Sequence, residues 1–352
     1  MKFFQNNIGS AVNEMRTVLV PHQITVPPDD DRRHSGTMTV LHGKTMGTTW
    51  TAKLVLPDGA IADEIEQRIL TSLDSVNAEM STWLPSSDIS VFNRAPAGHW
   101  QNLPDDFFYV LQNAIEIATD TGGAFDPTVG HLINAWGFGP VTNAYQVPPA
   151  KVVAEARSAI GWRRVLLDLG NRRVHQPGGT YLDFSAIAKG FAVDKIAEDL
   201  LSQGIRNFLI EIGGELRGEG FKEGVQPWWV ALESPDADGR PGPQSSDEFM
   251  IALHGLSVAT SGDYRRWIEA DGKIFAHTFD PRTGLPLTNR LASVSVVTQS
   301  CMQADALATA LMVLGPVDGL AYAERSEIAA LFVIRDGVQL RRIMSPAMAA
   351  MA

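Results

Sequence analysis

The spacing of apolar residues switches repeatedly between a helical and a strand period, and the switches come in an irregular order. Residues 48–56 have strand composition and end at the turn signal Pro57-Asp58-Gly59. Over residues 65–80 apolar residues recur every three or four positions, which predicts an amphipathic helix. Strands that follow strands, with helices at irregular intervals, predict an α+β fold rather than a doubly wound sheet. Further helices are predicted over 108–118, 186–203 and 302–314, and further strands over 208–212, 228–232, 250–253, 292–297, 329–335 and 338–343.

The chain is predicted to form one mixed domain with an extension at each end. Residues 1–38 read as an irregular, partly disordered N-terminal extension, because 27–33 is a polar stretch with no periodicity. Residues 39–345 form the domain, since no linker or internal repeat divides them. Residues 346–352 read as a loose tail, and the helix that starts near 302 is predicted to end at Gly315-Pro316.

Charge and composition exclude several classes of function. The net charge of −11 argues against binding to duplex nucleic acid, but not against a phosphorylated ligand, because a metal ion can supply local positive charge. Cys301 is the only cysteine, so no disulfide can form within the chain. No stretch reads as a transmembrane segment or a secretory signal, and we therefore expect a cytoplasmic protein, with export to the periplasm as the alternative.

The predicted helix after residue 300 carries the first candidate site. Ser300 and Gln303 have the spacing of a capping box, which satisfies the start of the helix. Asp305 and Thr309 are four residues apart and share one helix face, so their oxygens can hold a hard cation such as Mg²⁺. In the alternative interpretation Asp305 only interacts with the helix dipole, and Thr309 bonds to a preceding carbonyl.

Two further segments place small and polar residues beside a helix. Residues 183–190 open the predicted helix, where free amides attract phosphate and Lys189 adds positive charge. Asp183 either caps this helix or binds a ligand. Residues 123–130 are a loop in which small side chains allow close approach of a ligand, or an ordinary Gly/Pro-rich connection.

The remaining candidate is a histidine near the end of a predicted strand. His277 follows the strand-like 274–276 and precedes a turn that ends at Gly284, so it is either a general base or a structural residue. Residues 257–264 are small and polar and read as a loop. The chain contains no Ser/His/Asp order, Walker-type loop, paired-cysteine metal site or Rossmann glycine fingerprint.

Together, and in this order, these segments resemble the ApbE family of FAD:protein FMN transferases. The resemblance spans about residues 43–343. It is carried by GKTMGT at 43–48, MSTW at 80–83, SVFN at 90–93, GAFDPTVG at 123–130, DFSAIAKG at 183–190, IGGE at 212–215, VATSG at 258–262, HTFDPRTG at 277–284 and DALAT at 305–309.

The resemblance implies a role for each candidate residue. It implies that Mg²⁺ is held by Asp305, Thr309 and the backbone carbonyl of Ala186. It implies that His277 is the catalytic base and that Lys189 assists. The residues implied to contact FAD are Met46, Trp83, Ala124, Phe125, Asp126, Asp183, Lys189 and Phe279.

The implied activity is Mg²⁺-dependent transfer of FMN from FAD to a threonine or serine hydroxyl of an acceptor flavoprotein, with release of AMP. The alternatives are an FAD pyrophosphatase that yields FMN and AMP, a flavin-binding protein without turnover, and a purely structural domain. The chain departs from the family's pattern in two ways. Many relatives are exported and anchored through an N-terminal cysteine that this chain lacks, and Trp83 stands where many relatives carry tyrosine. Either aromatic ring can stack on adenine or flavin.

Overall fold

The computed structural model describes residues 17–21, 36–140, 147–222, 226–233, 235, 249–264, 267–270, 273–337 and 339–352. Its helices are α1 (Ala62–Met80), α2 (Asp88–Arg94), α3 (Asp105–Asp120), α4 (Gly130–Ala135), α5 (Ala150–Ala159), α6 (Ala188–Ser202), α7 (Cys301–Arg325) and α8 (Pro346–Ala349). Its strands are β1 (Thr17–Leu19), β2 (Gly36–Thr45), β3 (Thr48–Pro57), β4 (Trp100–Asn102), β5 (Leu166–Asp168), β6 (Arg173–His175), β7 (Phe208–Ile212), β8 (Glu215–Glu219), β9 (Trp228–Ala231), β10 (Phe249–Leu253), β11 (Leu256–Gly262), β12 (Trp267–Ala270), β13 (Lys273–Ala276), β14 (Phe279–Asp280), β15 (Leu285–Pro286), β16 (Leu291–Thr298), β17 (Ala329–Asp336) and β18 (Gln339–Met344).

An antiparallel sheet of eight strands forms the centre of the molecule, in the order β18-β17-β16-β11-β8-β7-β3-β2. Successive side chains of a strand point to opposite faces of the sheet. Because the central strands are apolar at consecutive positions, both faces of the sheet are apolar. Leu54 and Ile210 face a cluster formed with α1, α3 and α6, while Val55 and Leu209 face the other side. There the small sheet β1-β10-β9 and helix α8 cover the large sheet. This three-layer arrangement confirms the predicted α+β class.

Helix α7 is the longest helix described, and it consists of two helical segments that meet at a kink. Gly315 is the one non-helical residue within it, with φ 81° and ψ 179°. The helix resumes at Pro316, whose fixed φ is compatible with the first turn of a helix. The predicted end at Gly315-Pro316 is therefore confirmed as a break in the helix, and a second helical segment that the sequence did not predict continues to Arg325. By length and composition α7 could cross a membrane. It packs instead against α6 and the sheet, and its buried apolar residues, such as Ala304, Leu311 and Met312, belong to the core.

The segment 257–264, expected to be a loop, supplies the central strand β11. Its small residues explain the difference. Ala259 on β11 packs against Ala304 and Ala308 on α7, because small side chains let a long helix lie close to the strand. Composition alone resembled a loop, and the tertiary contact with α7 decided the outcome.

Both chain ends include residues that pack onto the domain. Strand β1 pairs in parallel with β10, and β2 begins at Gly36, so both lie within the stretch expected to be an extension. At the other end α8 buries Met348 completely, and the N–H of Val20 donates to the carbonyl oxygen of Met351. The tail is held because it covers apolar residues on the back of the large sheet.

Candidate active site

Helices α6 and α7 cross at a contact that only glycine permits. A Cβ on Gly190 would lie 2.2 Å from the carbonyl oxygen of Cys301. At this crossing the Gly190 N–H donates to Oδ2 of Asp305 at 3.1 Å. Asp305 is only 4% exposed, so its carboxylate is held in a buried position by the start of the neighbouring helix. Helix N-termini favour negative charge, which suits this arrangement.

Lys189 lies between two carboxylates at the same crossing. Its Nζ is 2.9 Å from Oε1 of Glu215 and 3.6 Å from Oδ2 of Asp305. Glu215 is 2% exposed and follows the tight Gly213-Gly214 turn between β7 and β8. Glu215 lies within the IGGE motif, whose sequence alone predicts no role for it. The available signal was an acid placed directly after a glycine turn.

Thr309 lies one helical turn beyond Asp305, on the same face of α7. Its Oγ1 is 2.9 Å from Oγ of Ser261 on β11, so the side chain bonds across to the sheet. The interpretation in which Thr309 bonds only to a preceding carbonyl is thus not what the structure shows.

The chemistry of these donors fits a hard cation. Asp305 contributes a carboxylate, and Thr309 and the Ala186 carbonyl would contribute neutral oxygens, the ligand type that Mg²⁺ prefers. Among the residues that the structure describes, no group of three or more His, Cys, Asp or Glu could hold a metal. A set with one carboxylate leaves room for phosphate oxygens as further ligands, which is how Mg²⁺ commonly binds.

A second buried carboxylate fixes α7 to α6, and the sequence analysis missed it. Asp194 on α6 accepts hydrogen bonds from the N–H groups of Cys301 and Met302, both at 3.0 Å. It also accepts from the Ser300 hydroxyl at 2.8 Å and from Arg217 at 2.9 Å. The predicted cap at Ser300 is confirmed, since its Oγ accepts from the N–H of Gln303. The signal for Asp194 was an acid on the apolar side of a predicted helix.

The loop 123–130 is buried and is held by one carboxylate. Oδ1 of Asp126 accepts from the N–H and the hydroxyl of Thr128, and Oδ2 accepts from the N–H of Trp162 at 3.3 Å. Burial raises the pKa of Asp126, against the opposing effect of these hydrogen bonds. Ala124 and Phe125 are also buried, at 1% and 4% exposure. The loop is therefore an ordered surface rather than a flexible connection.

Asp183 joins that loop to the approach of α6. Its N–H donates to the carbonyl of Pro127 at 2.8 Å, and its Oδ1 accepts from the N–H of Ser185 at 2.8 Å. Burial raises the pKa of this carboxyl. The N-cap of α6 is Ile187, which makes no side-chain cap, so Asp183 does not cap the helix. Of the two predicted roles for Asp183, ligand binding stays a prediction.

The SVFN segment at 90–93 has a positioning role. Asn93, at the end of α2, donates through Nδ2 to the carbonyl of Leu182 at 2.9 Å. Its Oδ1 accepts from the N–H of the same leucine at 2.7 Å. This pair of bonds takes the place of a strand partner, and residues 180–182 form only a single bridge, between Tyr181 and Val129. The segment is therefore held in place by the Asn93 side chain and by this bridge.

Met46 lies at the tip of the β2–β3 hairpin, and Trp83 lies shortly after the end of α1. Met46 has φ 48° at the tip of the β2–β3 hairpin and is followed by Gly47 at φ 73°. A non-glycine residue in this region is uncommon and often marks a functional position. A surface cavity of about 490 Å³ borders the tip, lined by residues 44–49. Trp83 follows α1 and is 63% exposed, so its indole is available to stack on a ring.

His277 and Phe279 belong to an aromatic cluster formed with the residues after α4. The ring centroids of Phe279 and Trp136 are 5.3 Å apart, and those of Phe279 and Phe138 are 5.8 Å apart. The His277 ring lies 6.2 Å from Phe138. The cluster holds the strand end that carries His277 against α4 and α5.

Cys301 can be set aside as a nucleophile. It is fully buried at the start of α7. Burial raises the pKa of its thiol well above the ordinary value, and the nearby charges of Asp194, Glu215 and Asp305 raise it further. The thiol therefore stays protonated at neutral pH, and the reactive form of cysteine is the thiolate.

Fold and site together define the class. The chain is a single mixed domain whose helix starts and ordered loops gather buried charged groups, as in enzymes that bind phosphorylated ligands. Comparison with known proteins gives the family. The sequence model of the ApbE family matches residues 46–332, and the chain belongs to that family.

Several relatives are similar over most of their length. The FAD:protein FMN transferase of Vibrio cholerae is 39% identical over 297 residues, which cover 84% of this chain and 87% of that protein. The protein of the same name from Haemophilus influenzae is 38% identical over 302 residues, covering 84% and 86%. The apo form of the Pseudomonas stutzeri flavinyl transferase ApbE superposes with a TM-score of 0.82 at 36% identity, covering 90% of this chain and 97% of that one.

Proposed function

We propose that this chain, an FAD:protein FMN transferase, requires Mg²⁺ and attaches FMN to a threonine or serine hydroxyl of an acceptor flavoprotein. The observation that carries the proposal is the α6–α7 crossing, where Asp305, Lys189 and the Gly190 N–H meet. Catalysis of phosphoryl-type transfer depends mainly on positioning the reactants and on neutralising their charge. The crossing brings the Lys189 ammonium, the Gly190 N–H and the Asp305 carboxylate together at one site.

In this reaction the acceptor hydroxyl oxygen forms a bond to the phosphorus on the FMN side of FAD. The bond from that phosphorus to the AMP phosphate oxygen breaks, and AMP leaves with the electron pair. Lys189 would attract the diphosphate, since its ammonium lies at the crossing and its side chain is 24% exposed. Bound Mg²⁺, held by Asp305, Thr309 and the Ala186 carbonyl, would neutralise charge on the diphosphate.

The proton of the acceptor hydroxyl has to be removed during attack. We assign this task to His277, whose aromatic neighbour Phe138 limits the positions available to the ring. The ring systems of FAD would be held by Trp83, Met46 and Phe279, of which Trp83 is exposed and Phe279 is buried in the aromatic cluster. One wall of the proposed FAD site would be formed by the loop residues Ala124, Phe125 and Asp126 and by the neighbouring Asp183.

The test removes the Asp305 carboxylate. Purified Asp305→Ala is incubated with FAD, Mg²⁺ and an acceptor domain that carries a candidate threonine, and flavin fluorescence is read on a denaturing gel with and without chelator. We expect a loss of at least about 100-fold in transfer rate, because charge-neutralising groups contribute this much to catalysis. Asp318→Ala is the matched control, since Asp318 lies on the same helix and is exposed.

Each outcome of the assay is informative. Chelator-sensitive labelling in wild type that is lost in Asp305→Ala and kept in Asp318→Ala supports the proposal. Full labelling by Asp305→Ala would contradict the metal assignment. Free FMN and AMP without a labelled acceptor would point to a pyrophosphatase instead. Replacing the acceptor threonine by alanine should abolish the label, and its retention would contradict the hydroxyl as the site of attachment.

A further inference from the structure

The outer edge of the large sheet is formed by β2, and its backbone polarity can be read from the neighbouring strands. In β3 the N–H of Val55 donates to the carbonyl of Asn207, and the carbonyl of Thr49 accepts from the N–H of Gly213. Odd-numbered residues of β3 therefore bond to the β7 side, and even-numbered ones bond to β2. In the register, Ala52 and Leu54 oppose residues 41 and 39. Odd-numbered residues of β2 thus bond inward.

It follows that the even-numbered residues of β2 direct their backbone N–H and C=O groups away from the sheet. Met38, Val40 and His42 are the central ones, and Met38 and Val40 are 46% and 53% exposed. Within the described parts of the chain, no strand pairs with this outer side. A row of donors and acceptors spaced for strand pairing is thereby presented over ten residues.

The two edges of the sheet differ in how they are protected. The opposite edge, β18, carries Arg341 and Arg342, and α8 packs beside it. Strand β2 has no Asp, Glu, Lys or Arg from Gly36 through Gly43, and its one charged residue, Lys44, lies beside the hairpin tip. Proteins normally protect an exposed edge with charge, proline or a covering element, so the stretch of β2 before Lys44 indicates a place for another strand.

The edge leads directly to the candidate active site. The β2–β3 hairpin ends at Met46, and a Cβ on Gly213 would lie 2.8 Å from Cγ2 of Thr48, so the hairpin tip touches the β7–β8 turn. Two residues after that glycine, Glu215 pairs with Lys189. A segment laid along β2 would therefore run toward the crossing of α6 and α7.

We propose that the acceptor protein docks by adding an extended segment to the outer edge of β2, with its reactive hydroxyl leading toward Met46. The inference rests on the proposed function, since the occupant is the substrate of the transfer. Main-chain pairing would supply affinity without demanding a particular side-chain sequence, because a strand edge recognises backbone groups. Specificity would then come from residues near the hydroxyl itself.

The test is Val40→Pro. Residue 40 bonds outward, so proline removes a donor on the open edge and leaves the ladder with β3 intact, as is tolerated on edge strands. Initial rates are measured against the concentration of an acceptor domain that wild-type enzyme labels with FMN. We expect the KM for that acceptor to rise about fivefold or more. The loss of one hydrogen bond, with obstruction of the neighbouring ones, weakens binding by about this factor. The KM for FAD should stay unchanged.

Two variants separate strand pairing from other effects. Val40→Thr keeps the N–H and a β-branched side chain, and should retain the wild-type KM for the acceptor. The Arg335 N–H donates to the carbonyl of Arg290, so Arg335 bonds toward β16 and away from β18. Leu340 opposes Arg335 in the register and therefore directs its own N–H away from β17. Leu340→Pro removes this outward donor on the opposite edge. It should also retain the wild-type KM, which controls for proline in an edge strand.

The outcomes distinguish this inference from the proposed function. If wild-type enzyme labels no acceptor, the proposed function fails. If wild type labels the acceptor and Val40→Pro has the same KM for it, the inference fails. A fall in oligomer mass in Val40→Pro would show that a second copy occupies the edge. A lower Tm without a change in the acceptor KM would show pairing within the chain. Either result overturns the proposal.

Discussion

Several residues near the site have a backbone conformation or a buried charge that costs free energy. Met46 has a left-handed backbone, which costs on the order of 1 kcal/mol for a residue other than glycine. Asp126 and Asp183 are buried carboxyls with raised pKa values, because each has lost most of its contact with water. Such costs persist only where surrounding structure enforces them, and they concentrate at functional sites.

Asp183→Asn should change how stability depends on pH. Below the ordinary pKa of 3.8 the carboxyl is protonated in the folded and unfolded states, so the variant and wild type should differ little. As pH rises above 3.8, the unfolded state ionises first, and wild-type stability falls until the folded carboxyl also ionises. Asparagine avoids this loss and can keep the bond from the Ser185 N–H.

The expected result is a Tm difference, variant minus wild type, that grows as pH rises and then levels off above the folded pKa. Thermal unfolding between about pH 3.5 and 7.5 measures it. A difference that stays constant over this range would contradict the raised pKa. Binding of FAD should weaken in the same variant if Asp183 contacts the ligand, which a flavin fluorescence titration would record separately.

At the scale of elements, the crossing of α6 and α7 determines the site. Gly190 permits the close approach, and Asp194 fixes the start of α7 through three donors there while it also pairs with Arg217 on β8. Helix starts leave N–H groups without partners, and a carboxylate from a neighbouring helix satisfies two of them here. Lys189 and Asp305 are thereby brought within 3.6 Å of each other, although 116 positions separate them along the chain.

Asp194→Asn should destabilise the protein by about 2–3 kcal/mol. The variant loses the charge that pairs with Arg217, and one of two acceptor oxygens becomes a donor facing backbone N–H groups. Urea unfolding measures the change. Glu198→Gln is the control, because Glu198 is an exposed acid on the same helix. Equal stability of the Asp194 variant and wild type would show that the carboxylate does not hold the two helices together.

At the scale of the whole molecule, the large sheet separates the site from a second apolar layer. Helices α6 and α7 lie on one face with the charged cluster. The small sheet and α8 lie on the other, around Trp228, Leu253 and Met348. Stability and catalysis therefore depend partly on different residues.

Met348→Ala should lower the free energy of unfolding by about 2–4 kcal/mol, because it removes a fully buried side chain and leaves a cavity. The KM for FAD should remain at the wild-type value, since Met348 lies behind the sheet. Val317→Ala, at a position that is 77% exposed, serves as the control and should change stability little. An altered KM for FAD in Met348→Ala would contradict the separation of the two layers.

Local patterns predicted several of the elements near the site, including β3, α1, α6 and β7, but not β8, which carries Glu215. The buried face of α1, the cap at Ser300 and the placement of Asp305 and Thr309 on one face depend on residues a few positions apart, so they can be read from sequence. The same reasoning missed the short strands β4, β5 and β6, whose three residues each are too few to show a period. It also mistook β11 for a loop, because its partner α7 lies some 40 residues further along the chain.

What the sequence determined by itself was the α+β class, the family resemblance and the identity of the candidate residues, because each depends on local spacing or on the order of motifs. The tertiary structure alone decided that Glu215 pairs with Lys189, that Asp194 joins α7 to α6, and that β2 forms an edge leading to the hairpin tip. These contacts join residues far apart in the chain. Their formation depends on how whole elements pack, which no pattern of neighbouring residues specifies.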